Sequence, residues 1–307
     1  MTAERPRWLS PSEYPFESRS KEIDGNDVRY IDEGRGRTLL FVHAGPSWSF
    51  IYRRVIERLR TDFRCIAIDF PLSGASRAAD TYRPTLRAAS GILDAFVRAL
   101  DLRGVTLVVH DLGGPVSLDV ATRMPDRFVA IAATDSFAWP LAARHPRVRR
   151  MLRVVSSRPF SLLNDVANII ARVEGMPYGA GRGLSPEGRR VFLAPFRDRR
   201  VRRAALAMLG DAANDTAFLA RVEADVQVAL SDRPVLLVFG AESPTIHEHF
   251  PERWAELFTD TRLVIVQGAH HFPMVDAPDV VATAIAEWHR DRVTSSTIAP
   301  RLIPRSA

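Results

Sequence analysis

Two residue types are almost missing from this sequence: it has one cysteine, Cys65, and one lysine, Lys21. A single cysteine excludes an intramolecular disulfide and a cysteine-built metal centre. Cys65 lies in an apolar run and reads as a small buried hydrophobe. No apolar run approaches the ~18 residues that a membrane-spanning helix needs. Met1 to Arg7 leads into no apolar stretch, so no secretory leader is expected. There is no Gly-rich phosphate loop ending in Lys and Ser/Thr, no GxGxxG after a strand, no HExxH pair and no internal repeat. These absences lead us to expect a cytoplasmic protein without cofactor or metal. It should act on a small molecule rather than a nucleic acid or a membrane, as a monomer or homodimer.

What is present is ordinary globular material. The 307 residues are 46% apolar and 25% charged. A folded chain of this size hides roughly 70–75% of its extended surface, so one large core is feasible. The net charge of +6 is carried by arginine and is local. Fifteen arginines fall between Arg144 and Arg203 against Asp165, Glu174, Glu187 and Asp198, a net of +11 that leaves −5 elsewhere. We read this stretch as a solvated helical face rather than a nucleic-acid surface.

Along the chain, short apolar strands alternate with helical patterns. Lys21 to Asp32 reads as a hairpin around Asp24-Gly25-Asn26. Thr38–His43, Phe63–Asp69, Val105–His110 and Phe128–Thr134 read as buried strands, with amphipathic helices between them. From about Phe137 to Leu230 no buried strand is evident, and the pattern is of helices broken by Pro146, Pro159, Pro177, Pro186 and Pro195. Alternation resumes at Pro234–Gly240 and Arg262–Val266, with a helix from Pro278 to Arg290. Such alternation implies a doubly wound, mostly parallel sheet. The helical insertion roofs the carboxyl ends of its strands, where such sheets bind ligands.

The strongest chemical signal is Val108-Val109-His110-Asp111-Leu112-Gly113-Gly114-Pro115, at a strand-to-helix junction. A sharp turn there holds one side chain over the sheet edge, and small residues two and three places later let strand and helix pack closely. The side chain displayed is Asp111. It is either a nucleophile that forms an ester with an electrophilic carbon or the cap of the following helix.

These residues resemble the aspartate-nucleophile branch of the α/β-hydrolase fold, haloalkane dehalogenases and epoxide hydrolases, with the dehalogenases the nearer. His43-Ala44-Gly45-Pro46-Ser47-Trp48-Ser49-Phe50-Ile51-Tyr52-Arg53 looks like their HGxPTWSFLYR segment. Asp69 to Ser76 looks like their DxxGxGxS turn, with Leu72 where the first glycine is expected. His110 to Pro115 looks like their HDWGGP elbow. Ala138-Trp139-Pro140 and Ala194-Pro195-Phe196 resemble cap segments, and His271-Phe272 with Asp276-Ala277-Pro278 resembles their histidine loop.

The resemblance implies a core over 14–136 and 231–292, a helical cap over 137–230 and a loose tail over 293–307. It implies Asp111 as nucleophile, His271 (or its neighbour His270) as the base that activates water, and an oxyanion hole from the backbone N–H groups of Gly45 and Leu112. The acid that orients the base is left open. Ser243 stands where the family often carries Asp, leaving Asp135, Glu242 or no acid. Trp48, Trp139 and Tyr178 are expected at the substrate pocket.

The two side-chain N–H donors that dehalogenases use for the halide are replaced by Leu112 and Gly45, which have none. Epoxide hydrolysis, or a binding protein that has kept the fold and lost the chemistry, are therefore alternatives to a dehalogenase-like hydrolase. In the epoxide case Tyr178 is the only tyrosine the insertion offers as a proton donor. His247-Glu248-His249 is read as no metal site, because residues at i and i+2 do not face one another.

Overall fold

A computed structural model describes residues 2–43, 45–141, 145–177 and 179–294. Eight strands form one sheet: β1 (Arg19–Ile23), β2 (Asn26–Glu33), β3 (Arg37–Val42), β4 (Phe63–Ile68), β5 (Val105–Asp111), β6 (Phe128–Ser136), β7 (Pro234–Gly240) and β8 (Asp260–Val266). Their order is β1-β2-β4-β3-β5-β6-β7-β8. The hairpin turns at Asp24 and Gly25, both in the left-handed region. β1 and β2 are antiparallel additions at one edge, and from β4 to β8 every pairing is parallel.

The central strands read as continuous apolar runs because both faces of the sheet are covered. Along β3, Leu40 and Val42 enter one apolar cluster while Leu39 and Phe41 enter the other. β5 divides in the same way, with Leu107 and Val109 on one side and Val108 on the other. This is the two-residue period of a strand packed on both faces. Helices Leu86–Ala99, Gly113–Arg123 and Phe250–Leu257 cover one face, and Arg53–Leu59 and Pro278–Trp288 cover the other. The expected doubly wound sheet is therefore present.

The insertion between β6 and β7 is helical over Pro146–Val155, Arg158–Ala167, Ile169–Glu174, Pro186–Leu193, Arg199–Asn214 and Thr216–Ala229. Within the expected 137–230 span the last helix differs from the others. Thr216–Ala229 buries Phe218, Leu219, Val222 and Val226 in the same cluster as the helix after β5, and Arg221 bonds Asp119 of that helix at 2.6 Å. It extends the core flank rather than the roof, because its apolar stripe matches that flank.

The arginine-rich face is more than a solvated surface. Arg199 and Arg203 both grip Asp165, at 2.9 and 2.8 Å, and Arg202 donates to the carbonyls of Asp165 and Phe196. The cap is tied to the core by the Trp48 indole, which donates to the Phe192 carbonyl at 3.0 Å, and by Ser185, which hydrogen-bonds Glu13 of a buried Glu13–Arg53 pair. A short π-helical segment, His289–Thr294, ends the described chain. The expected tail lies almost wholly outside the described residues.

Candidate active site

Asp111 closes β5 with φ at +44°, a conformation that a side chain with a Cβ rarely adopts. The strain is held by close packing on both sides of the turn. A Cβ on Gly113 would lie 2.5 Å from the Val42 carbonyl oxygen, and one on Gly114 would lie 2.1 Å from Ser136 Oγ. The two glycines are what allow the helix to begin here. The Leu112 backbone N–H is directed at the Asp111 carboxylate. Burial pushes the Asp111 pKa up, and the His271 ring and that N–H oppose the rise.

Asp135, near the end of β6, also has positive φ, at +44°. Its side chain is fully buried and lies 3.7 Å from His271 Nδ1. The other contacts to its carboxylate come from the Gly240 backbone N–H at the end of β7, at 2.9 Å, and from the Thr245 hydroxyl. Neighbouring strand ends thus supply Asp111, Asp135 and Gly240, and the loop after β8 supplies His271. Burial by itself would lower the His271 pKa. The Asp135 hydrogen bond and the charges of Asp111, Asp135 and Glu174 outweigh it and raise it to about 9.

His110 packs against His271 with ring centroids 4.7 Å apart and the planes tilted by 48°. Its Nδ1 faces the Thr134 carbonyl at 2.9 Å, and burial holds its pKa well below the usual imidazole value. It is therefore a neutral floor for the charged ring. Glu242, the other candidate acid, is exposed and pairs with Arg182 at 2.9 Å. Ser243 caps the helix that begins at Pro244 and bonds Thr245. Where an acid was expected at 243, the chain instead places Thr245, whose hydroxyl supports Asp135. The His270 backbone N–H donates to Asp276 at 2.9 Å, and His271 is the ring beside Asp135. Glu248 lies 3.1 Å from His145 Nδ1, and His249 Nδ1 lies 3.4 Å from Glu252.

A cleft of about 550 Å³ opens beside the elbow, lined by Gly45, Leu72, Leu112, Val116, Phe196, Val201 and Met208 among others. Its walls are mainly apolar. It reaches the elbow through Leu112 and Gly45 and does not include the Asp111 or His271 side chains. Leu72, which departs from the glycine of the expected turn, keeps φ at +64° and turns its side chain into this cleft. Trp48 and Trp139, expected at the substrate pocket, are not among the residues that line this cleft. Both are buried in the core, and their indole N–H groups are spent on the Phe192 carbonyl and on His145. Tyr178 lies outside the described residues. One carboxyl escaped the sequence reading: Glu174, at the end of helix Ile169–Glu174, interacts electrostatically with both His271 and Asp111. Only its place in a strongly basic insertion set it apart in the sequence.

The chain is similar to known proteins over most of its length. The model of the alpha/beta hydrolase family matches residues 39–284. Haloalkane dehalogenase 2 of Mycobacterium tuberculosis is 30% identical over 278 residues, covering 90% of this chain and 96% of that protein. Cis-3-alkyl-4-alkyloxetan-2-one decarboxylase of Shewanella oneidensis is 27% identical over 299 residues, 92% of this chain and 91% of that one. The solved haloalkane dehalogenase DbeA of Bradyrhizobium elkanii superposes with a TM-score of 0.79 at 21% identity, covering 91% of this chain and 99% of its own, a likeness of fold. The chain belongs to the alpha/beta hydrolase family and is a haloalkane-dehalogenase-like member of it.

Proposed function

We propose that the protein is a hydrolase in which Asp111 attacks an electrophilic carbon of a small apolar substrate and His271 directs water at the resulting ester. The observation that carries this is the strained Asp111 beside a His271 ring that sits 3.7 Å from the buried Asp135. In the resting site the imidazolium lies between two carboxylates, which favours its charged form. Ester formation removes the Asp111 charge, so the imidazole loses a proton more readily and becomes the base that the second step needs. Asp135 orients the ring, and the backbone N–H groups of Leu112 and Gly45 receive the oxyanion that forms when water attacks the ester carbonyl. The apolar cleft selects the substrate.

Dehalogenation in the manner of the mycobacterial relative is the first reading. A second has its own support, because neither Leu112 nor Gly45 has a side-chain N–H and the indoles of Trp48 and Trp139 are occupied. With no free side-chain N–H from Leu112, Gly45, Trp48 or Trp139 to receive a halide, an oxygen leaving group from a small strained ring suits the site. The Shewanella relative is named for such a four-membered ring, an oxetan-2-one.

The test is intact mass of the His271→Phe variant after incubation with 1-bromohexane and, separately, 1,2-epoxyhexane. Asp111 still attacks in this variant, and the ester persists. A hexyl adduct without bromine supports dehalogenation, and a whole-epoxide adduct supports ring opening. No adduct from either probe, where Asp111→Asn behaves identically, refutes the nucleophile reading for both substrate classes.

A further inference from the structure

The cap between Arg144 and Arg203 is strongly basic, yet its one carboxyl coupled to the active site has no arginine paired with it among the described residues. Glu174 ends helix Ile169–Glu174, and its Oε2 is buried without a hydrogen-bond partner among those residues. Asp165 and Glu187, by contrast, both pair with arginines. The chain just after Glu174 is stitched to the histidine loop. The Ala180 N–H donates to the Glu174 carbonyl at 2.7 Å, and Arg182 donates to the Gly268 carbonyl. A Cβ on Gly183 would lie 2.0 Å from the Val275 carbonyl oxygen, and Ala180 shares an apolar cluster with Phe272 and Met274. These contacts hold the Glu174 segment against the loop that carries His271.

The groups coupled to Glu174 are His271 and Asp111, with Asp135 behind the ring. Arg189 packs beside Gly175 but forms no ion pair with Glu174 among the described residues. Burial raises the Glu174 pKa most, the imidazolium lowers it, the Asp111 charge raises it, and the result is about 7.

We propose that Glu174 is the proton donor of this site, and that the site therefore opens epoxides, whose leaving oxygen must be protonated, in preference to displacing halide. The inference rests on Asp111 acting as nucleophile. An Asp111 carboxylate oxygen bonds to a ring carbon, the carbon–oxygen bond breaks with its electron pair on oxygen, and that oxygen takes the Glu174 proton to become a hydroxyl. The imidazolium then passes its proton through solvent to the Glu174 carboxylate, which restores the acid and leaves His271 neutral. Water adds to the ester carbonyl as His271 takes its proton, and the acyl–oxygen bond breaks to release a diol and restore the Asp111 carboxylate beside the imidazolium. The net reaction is epoxide plus water to diol. A halide leaves as a stable anion and takes no proton, so Glu174 does little for it.

The comparison is His271→Phe with and without Glu174→Gln, each incubated with 1,2-epoxyhexane or 1-bromohexane and followed by intact mass against time. Glutamine keeps an N–H donor but has no proton to transfer. The expected result is an epoxide adduct that forms about 100-fold or more slowly once Glu174→Gln is added, while the bromohexane adduct changes less than about threefold. With Glu174 present, the epoxide rate should fall about tenfold per pH unit above the Glu174 titration, and this limb should vanish in the Glu174→Gln variant. Removing His271 takes away the charge that favours Glu174 ionisation, so the limb lies above the native value of about 7. The bromohexane rate reports whether the variant is folded. Equal slowing of both probes, or no slowing of the epoxide, overturns the inference. A bromohexane adduct without any epoxide adduct overturns it while leaving the Asp111 nucleophile intact. No adduct from either probe overturns the nucleophile reading and this inference with it.

Discussion

The sheet and the cap are held together by different forces. In β3 and β5 the apolar side chains enter two clusters, one on each face of the sheet, and are almost fully buried. Burial of this kind is non-directional and is not screened by salt. In the cap, the one separate apolar cluster is Ala171, Phe196 and Ala205. Seven of the eleven large exposed apolar residues among those described lie between Met151 and Met176. Arginines that bond Asp165 and the backbone carbonyls around it add directional polar ties there. A sheet built this way holds Asp111, Asp135 and His271 in register. Charge pairs screened by solvent stabilise a segment less than a buried apolar core does.

That contrast gives three predictions, in order of size. The largest falls at the sheet edge. Asp135→Asn should lower turnover roughly 1,000-fold or more, because the ring loses the charge that favours its protonated form and an amide can present N–H where the carboxylate only accepts. The His271 pKa should fall at the same time, which NMR titration of the ring can follow. Glu242→Gln, which touches only Arg182 at the surface, should leave turnover and titration unchanged. A large loss in the Glu242→Gln variant would move the orienting acid off the sheet and break the comparison.

The second concerns the core itself. Phe41 is fully buried in β3 and packs on Tyr52 with ring centroids 5.1 Å apart. Phe41→Ala should destabilise the fold by about 3–5 kcal/mol, with the same value at low and high salt, read from denaturant unfolding.

The smallest effect belongs to the cap. Hydrogen bonds from Arg203 and Arg199 hold the Asp165 carboxyl at about 2. This pKa is depressed, so the stabilisation is complete above the ordinary carboxylate value of about 3.9 and is lost as pH falls through about 2. Asp165→Asn should therefore speed tryptic cleavage within 146–214 at neutral pH, with little change in global unfolding. The gap from the parent protein should shrink in high salt and in strong acid. A cleavage rate that matches the parent at neutral pH and low salt would show that the cap does not depend on this network.

The legible parts of the site were those written in local sequence. The elbow could be read because Asp111 is followed by Gly113 and Gly114, and the close approaches to Val42 and Ser136 show why no larger residue fits there. The core strands could be read because burial on both faces demands uninterrupted apolar runs. The surroundings of Trp48 and Trp139 could not be read, for the opposite reason. Trp48 and Trp139 are conspicuous in sequence, but their N–H groups are spent on the distant Phe192 carbonyl and on the His145 ring.

The sequence by itself determined the order of strands and helices, the position of the turn that displays Asp111 and the basic character of the cap. Each depends on residues close together in the chain. The tertiary structure alone decided which carboxylate meets His271, that Thr245 and Gly240 support it, and that Glu174 interacts electrostatically with Asp111. Those choices join residues 63 to 136 positions apart, and a side chain's partners across such distances follow from strand order and packing rather than from local pattern.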